Sequence, residues 1–295
     1  MCDFYGMPTR SIGNAHLRLE FLTRVGPRIV RLFLAGSDEN QLAEAPDLRW
    51  ETPFGDYHTW GGHRLWHAPE AFPRTYIPDD GGLTVEETPT GVRLCQPTEV
   101  PTGIRKCVEI RLHADWPALT LAHRLQNDGL WPVELAPWAI TQLPLGGVAV
   151  LPLPNGPLDA SGMLPNRRLA LWPYTVWPDP RLDLHTDYLL VQAQAHPSPC
   201  KIGYLNHHGW AGYVRRGVFF CKRFEPHPDR PHPDLGCNVE VYCNDDFIEL
   251  ETLAPLQRLE PGQAATHVET WEFYPAPDMS PTVEGVRAQV QALGW

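Results

Sequence analysis

The sequence predicts an all-β fold, a large antiparallel β-sandwich with one short C-terminal helix, and three observations predict it. Proline (32) and glycine (24) are abundant and spread along the whole 295-residue chain, which punctuates many short strands and argues against long helices. Between these breaks the residues alternate apolar and polar, the period of a strand with one buried face. Hydrophobic residues make up 43%, ample for a sizeable core. No internal repeat and no domain-sized shift in composition divides residues 1–295, so a single domain is expected.

The elements follow in order. His16 to Phe21 and Arg28 to Leu34 alternate, with Gly26-Pro27 as the turn between them. The aromatic-rich stretch from Trp50 to Tyr76 is long and irregular and does not read as simple scaffold. Leu83–Glu87 and Gly91–Gln96 form a hairpin across Thr88-Pro89-Thr90, and Ile104 to His113 returns through Asp115-Trp116-Pro117 as Ala118 to Leu125. Asn127-Asp128-Gly129 has the dihedral preferences of a tight reversal and leads into Trp131–Leu143. Residues 150 to 188, rich in Pro, Trp and Asp, show no clean period and read as long loops with short strands. Strand signals resume at Lys201–Leu205, Trp210–Val214, Gly217–Lys222 and Asn238–Tyr242, before the turn Asn244-Asp245-Asp246. Ser280 is placed as an N-cap and Pro281 as the first helical residue of a helix running to Ala292.

Composition narrows the partners. A formal net charge of −11 counts against nucleic acid or an anionic membrane surface and leaves a neutral small molecule as the fitting class. No run has the apolar length of a transmembrane helix, and the start, Met1-Cys2-Asp3-Phe4-Tyr5-Gly6, has neither the basic nor the apolar region of a signal peptide. The seven cysteines include no Cys-x-x-Cys, so reduced thiols in a cytoplasmic protein are expected. The 11 tryptophans are natural platforms for sugar rings, although core and rim packing accounts for most of them.

The segment with most chemistry in it is Phe247-Ile248-Glu249-Leu250-Glu251-Thr252-Leu253-Ala254-Pro255. In a strand, Glu249 and Glu251 share one face while Ile248 and Leu250 take the other. Such a pair is either solvated decoration or, inside a concave sheet, a source of a general base. Asn238, Glu240 and Tyr242 alternate in the same way against Val239, Val241 and Cys243, and that polar face either lines a pocket or faces water.

The order of these pieces resembles the galactose mutarotase-like superfamily. Pro132-Val133-Glu134-Leu135-Ala136-Pro137-Trp138-Ala139 looks like the segment in which aldose 1-epimerases carry their catalytic histidine. Leu250-Glu251-Thr252, with Pro255 and Leu259-Glu260-Pro261-Gly262, looks like the segment with their catalytic glutamate. Gly61-Gly62-His63-Arg64-Leu65-Trp66-His67-Ala68-Pro69-Glu70 and Asp234-Leu235-Gly236-Cys237-Asn238-Val239-Glu240 are similar to an uncharacterised branch of the superfamily. The likeness runs from about Gly13 to Phe273 and implies a large β-sandwich acting at the anomeric carbon of a sugar, with Glu251 as general base. One departure stands out. Trp138 occupies the place of the acid histidine, and an indole N–H donates a hydrogen bond without being a proton-transfer acid at neutral pH.

His63 and His67 have the chemistry of the missing acid, because histidine titrates near neutrality. Arg64 between them can fork onto sugar hydroxyls or a carboxylate. Trp60, Trp66 and Trp138 are the expected aromatic contacts, with Glu240 and Glu249 as further binding groups. His63-x-x-x-His67 lacks the neighbouring glutamate of the metalloprotease signature, and no metal or other cofactor is expected. His207, His208, His227, His232 and Asp234 read as solvated loop residues among prolines. The leading function is therefore a sugar-binding, aldose 1-epimerase-like enzyme. Its rivals are a non-catalytic carbohydrate-binding module and a lyase or hydrolase of acidic sugars with Arg64 as carboxylate clamp.

Overall fold

A computed structural model describes residues 2–157, 159–277 and 279–295. Two large antiparallel sheets carry the fold. In the first, of eleven strands, the central neighbours in space are Arg28–Leu34, His63–Ala68, Val133–Pro144, Phe247–Leu253, Val239–Cys243 and Cys200–Tyr204. In the second, of ten strands, Trp210–Arg215, Val218–Phe224, Ala264–Pro275, Ala118–Asn127 and Ile104–Leu112 lie side by side. The all-β expectation holds, and so does the short C-terminal helix, Val283–Ala292.

Alternation explains why the sheets stack. Ile248 and Leu250 point inward from their strand, joined by Val239, Val241, Ile202, Leu65 and Leu143 from neighbouring ones, and all are buried. They meet Leu119, Leu121, Phe220, Trp271 and Phe273 from the second sheet in one continuous core. Each such side chain contributes about 1.5–3 kcal/mol of burial. Truncating Leu250 to alanine would cost about 2–5 kcal/mol.

A glycine pair sets the position of the strand that carries Arg64 and Trp66. Gly61 and Gly62 have φ of +83° and +64°. A Cβ on Gly62 would lie 1.9 Å from the Ile29 carbonyl oxygen, so only glycine lets His63–Ala68 turn in beside Arg28–Leu34.

Four expectations change. The stretch from Trp50 to Tyr76 is ordered: Glu44–Thr52 and Gly55–Gly61 pair as a separate hairpin, His63–Ala68 enters the first sheet, and Arg74–Tyr76 makes a 3-10 turn. The helix is capped by Thr282, whose side chain accepts from the Gly285 N–H, rather than by Ser280. The cysteines are not all thiols, because Cys95 and Cys107 face each other directly across neighbouring strands and are joined by a disulfide. His232 is buried instead of solvated, its Nε2 donating to the His227 carbonyl at 3.1 Å.

Candidate functional site

Strand register assembles a polar patch on the outer face of the first sheet. Arg64 pairs with Ile140, Ile140 with Glu251, and Glu251 with Glu240, so these four stand in one row. Trp66 and Trp138 pair in the next row on one side. Glu249, Tyr242 and Lys201 pair in the next row on the other. Residues two apart share a face, which puts all of these on the side away from the core.

A cavity of about 400 Å³ opens on this face. Trp66 and Trp138 form its floor with Ile140, and Trp50, Tyr76, Tyr174, Tyr242 and Phe247 form its walls. The charged groups reaching it are Arg64, Glu70, Lys201 and Glu249. No histidine is among the described residues that line it.

Arg64 is only 3% exposed, and one of its nitrogens, Nη2, donates to Glu249 at 2.9 Å. Its guanidinium lies 4.4 Å from the centre of the Trp66 ring. The remaining Arg64 donors, Nε and Nη1, have no hydrogen-bond partner among the described residues. Burial would lower its pKa, and the Glu249 carboxylate overrides this and holds the charge in place.

Lys201 organises the second half of the site. Its ammonium lies 2.8 Å from Glu240 and 2.9 Å from Glu251, with both carboxyl groups fully buried. It also sits 4.5 Å from the Trp138 ring centre and 4.7 Å from that of Trp172. The Trp138 indole Nε1 donates to Glu251 at 2.7 Å. Gly203, paired with Glu240, makes room for it, since a Cβ there would come within 3.0 Å of Glu240 Cγ. Burial raises both carboxyl groups above their ordinary range, against the pull of Lys201, and Glu240 furthest. Burial by itself would lower Lys201, but the two carboxylates hold it well above its usual value. One cation therefore serves two carboxyl groups, which titrate as a coupled pair raised by burial.

The expected site residues thus divide. Arg64, Trp66, Trp138 and Glu249 line the cavity, whereas Glu240 and Glu251 lie just beneath it, covered by Lys201 and Trp138. His63 and His67 are not with them. They alternate with Arg64 and Trp66 and point into the sandwich, both buried. His63 Nδ1 meets Thr141 Oγ1 at 2.9 Å and its Nε2 meets His123 Nε2 at 2.7 Å. His67 faces Glu99 at 3.7 Å, and Lys106 reaches the same carboxylate at 2.6 Å. Burial lowers the pKa of both histidines. They lie on the far side of their strand from Glu251 and do not line the cavity, so the structure does not bring them together with the other expected site residues. Trp60 is also elsewhere, stacked on His58 and packed beside Leu22, Val25 and Val30.

His63, His123 and Glu269 bring three potential ligand atoms within 4.8 Å of one another inside the sandwich. The positive charge there belongs to Lys222, 2.7 Å from Glu269 Oε1, while Trp271 Nε1 donates to Oε2 at 2.9 Å. With the carboxylate engaged on both oxygens, these residues do not fit a metal ion.

Lys201, Glu70, Tyr76, Tyr174 and Tyr242 were not singled out as site residues from sequence. The available signal was the parity of Cys200–Tyr204, where a lysine falls between inward-facing Cys200 and Ile202. A buried lysine needs a carboxylate partner, and the strand pairing supplies two.

No family model matches the chain, and no curated protein matches it in sequence. Solved structures do match in fold. A galactose mutarotase-like protein from Lactobacillus casei is 12% identical, with a TM-score of 0.58 over 90% of this chain and 100% of its own. A candidate aldose 1-epimerase from Escherichia coli K12 is 14% identical, with a TM-score of 0.54 over 92% of this chain and 100% of its own. A galactose mutarotase related enzyme from Lactobacillus acidophilus is 10% identical, with a TM-score of 0.54 over 92% and 99%. At these identities the likeness shows the fold, a galactose mutarotase-like sandwich, as the sequence motifs led one to expect. No helix among the described residues is long and apolar enough to cross a membrane.

Proposed function

We propose that this protein binds a neutral reducing sugar in the aromatic cavity and interconverts its anomers, as an aldose 1-epimerase-like enzyme. The observation that carries the reading is the cavity lining, in which Trp66, Trp138, Tyr76, Tyr174 and Tyr242 stand with the charged groups Arg64, Lys201 and Glu249. Charged groups that reach such a cavity hydrogen-bond sugar hydroxyls. Aromatic faces suit the apolar C–H side of a pyranose.

The proposed chemistry uses the charged groups that reach the cavity. Glu249 and Lys201 stand in one row with Tyr242 between them, two strand spacings or about 10 Å apart at the backbone, so their side chains can address opposite edges of one ring. Glu249 takes the proton of the anomeric hydroxyl as that oxygen becomes a carbonyl and the bond from C1 to the ring oxygen breaks. The electron pair leaves with the ring oxygen, which takes a proton relayed through Lys201 from the Glu240 carboxyl, so that the ammonium, held well above its usual value, is not left neutral. Glu251 holds the ammonium in place. Rotation about C1–C2 and the reverse steps give the other anomer, with each group restored. Glu251, expected as the base, becomes in this proposal a positioning residue for Lys201.

A second reading, sugar binding without turnover, is favoured by one observation: Glu251 is closed off by Trp138 and Lys201. An acidic-sugar lyase or hydrolase gains no support from charge. Around the cavity the carboxyl groups of Glu70, Glu240, Glu249 and Glu251 outnumber the cations Arg64 and Lys201. Exchange NMR on a panel of neutral reducing sugars separates the readings. Anomer exchange above the spontaneous rate supports catalysis, and line-broadening without exchange supports a binding module.

A further inference from the structure

The aromatic groups of the cavity form two clusters. On one side Trp66 lies 5.4 Å from Trp138 and 4.9 Å from Tyr76, ring centre to ring centre. On the other, Tyr174 lies 6.2 Å from Tyr242, which lies 6.2 Å from Phe247. Trp66 and Trp138 share one strand row, Arg64 stands in the next, and Glu249, Tyr242 and Lys201 share the row beyond it, and all of these residues line one cavity. The two aromatic rows are about 13 Å apart along the strands, more than one pyranose spans. The volume, about 400 Å³, is in the range that accommodates drug-sized ligands, more than one six-membered ring requires. Tyr174 is 41% exposed, so the second platform opens to solvent at its outer end, where a chain could leave.

We infer that the ligand is a neutral reducing oligosaccharide of at least two sugars, with the reducing ring on Trp66 and Trp138 and the next ring on Tyr174 and Tyr242. This rests on the sugar-binding reading above and extends it to chain length. The charge of the site fits an uncharged chain. The charge of Arg64 is matched by Glu249 and that of Lys201 by Glu240 and Glu251, so the cavity has no excess positive charge to attract an anion.

The test is saturation-transfer NMR and calorimetry on neutral reducing mono-, di- and trisaccharides of glucose, galactose, mannose and xylose in several linkages, with the full chain. For the preferred linkage we expect at least tenfold tighter binding of the disaccharide than of its monosaccharide. Tyr174→Ala, at a partly exposed position with little folding risk, should reduce that ratio several-fold. Trp66→Ala should weaken every chain length alike. Equal affinities for mono- and disaccharides across the panel would overturn the inference while leaving sugar binding intact. Absence of binding by every sugar would overturn the sugar-binding reading and this inference with it.

Discussion

The Trp138 indole donates a hydrogen bond to the Glu251 carboxylate, Nε1 to Oε2, at 2.7 Å. The two side chains come from neighbouring antiparallel strands and are both buried. Trp138 therefore contacts Glu251, the residue expected from sequence to be the base. Its role there is to satisfy the carboxylate, not to transfer a proton.

Trp138→Phe keeps the aromatic floor and removes that donor. A hydrogen bond to a charged group contributes about 1.5–3 kcal/mol, and a loss of that size should appear as a lower urea midpoint with an unchanged slope. Sugar binding should weaken less than stability, because the ring face remains. An unchanged midpoint would show that Glu251 does not depend on the indole.

Lys201 and Glu240 should respond very differently to removal. Lys201→Met leaves Glu240 and Glu251 buried without a counter-ion, and breaking such a buried pair costs about 3–5 kcal/mol. Burial pushes Glu240 well above the ordinary carboxylate range, which favours its neutral form. Glutamine mimics that protonated form, and Glu240→Gln should change stability by no more than about 1 kcal/mol. Chemical denaturation of both variants checks the contrast, and equal losses would contradict the proton assignment.

Acid should destabilise the fold through its interior histidines. Burial lowers His267 to about 3, and lowers His63 and His123 as well. A histidine whose folded value is depressed binds fewer protons than the unfolded chain at pH values between the two. Its effect on stability is thus absent above the unfolded value near 6.5 and becomes a growing loss as pH falls below it. For His267 alone the loss between pH 6.5 and 5.5 is about 1 kcal/mol, and the other two add in the same direction. The melting temperature should fall steadily over this interval. Glu240, whose folded value is raised, works in the opposite sense over this interval, so the comparison is made in the Glu240→Gln background, where a flat profile from pH 7 to 5 would mean that the histidines titrate normally.

The cross-strand disulfide closes a short loop, with a sequence separation of 12 between Cys95 and Cys107. Disulfides of this kind contribute about 2–4 kcal/mol. The Cys95→Ala/Cys107→Ala double variant should unfold at correspondingly lower urea concentration, and peptide mapping of the native chain should recover the two cysteines on one linked fragment. Two separate thiol-bearing peptides would contradict the pairing.

Most of the scaffold was legible because most strands bury one face. Ile104–Leu112 and Ala118–Asn127 alternate cleanly, and they pair as the turn between them predicts. The hairpin of Glu44–Thr52 and Gly55–Gly61 was not legible. It is a separate two-stranded sheet with no fully buried residue along its first strand, and its register shifts between Ala45 and Arg49. The parity of His63–Ala68 was plain, but which face is interior was not. All six residues are buried, since one side is covered by the second sheet and the other by the cavity walls. A strand buried on both faces loses the period that tells inside from outside. The same loss hid Lys201 within Cys200–Tyr204, where every residue is buried. Arg64, Trp66 and Trp138, named from sequence by their motifs, and Glu249, named by strand parity, line the cavity, while the partner that joins Glu240 to Glu251 required the fold.

The most direct test of the central claim is polarimetry of freshly dissolved, anomerically pure neutral sugars, with wild-type protein and Glu249→Gln compared at pH 7. Relaxation to the anomeric equilibrium should be faster than the spontaneous rate in proportion to protein concentration. The acceleration should fall by roughly a hundredfold or more in the variant, the scale of removing a general base. Relaxation at the spontaneous rate for every sugar with the wild-type protein would contradict catalysis at the anomeric carbon and leave the cavity as a binding site.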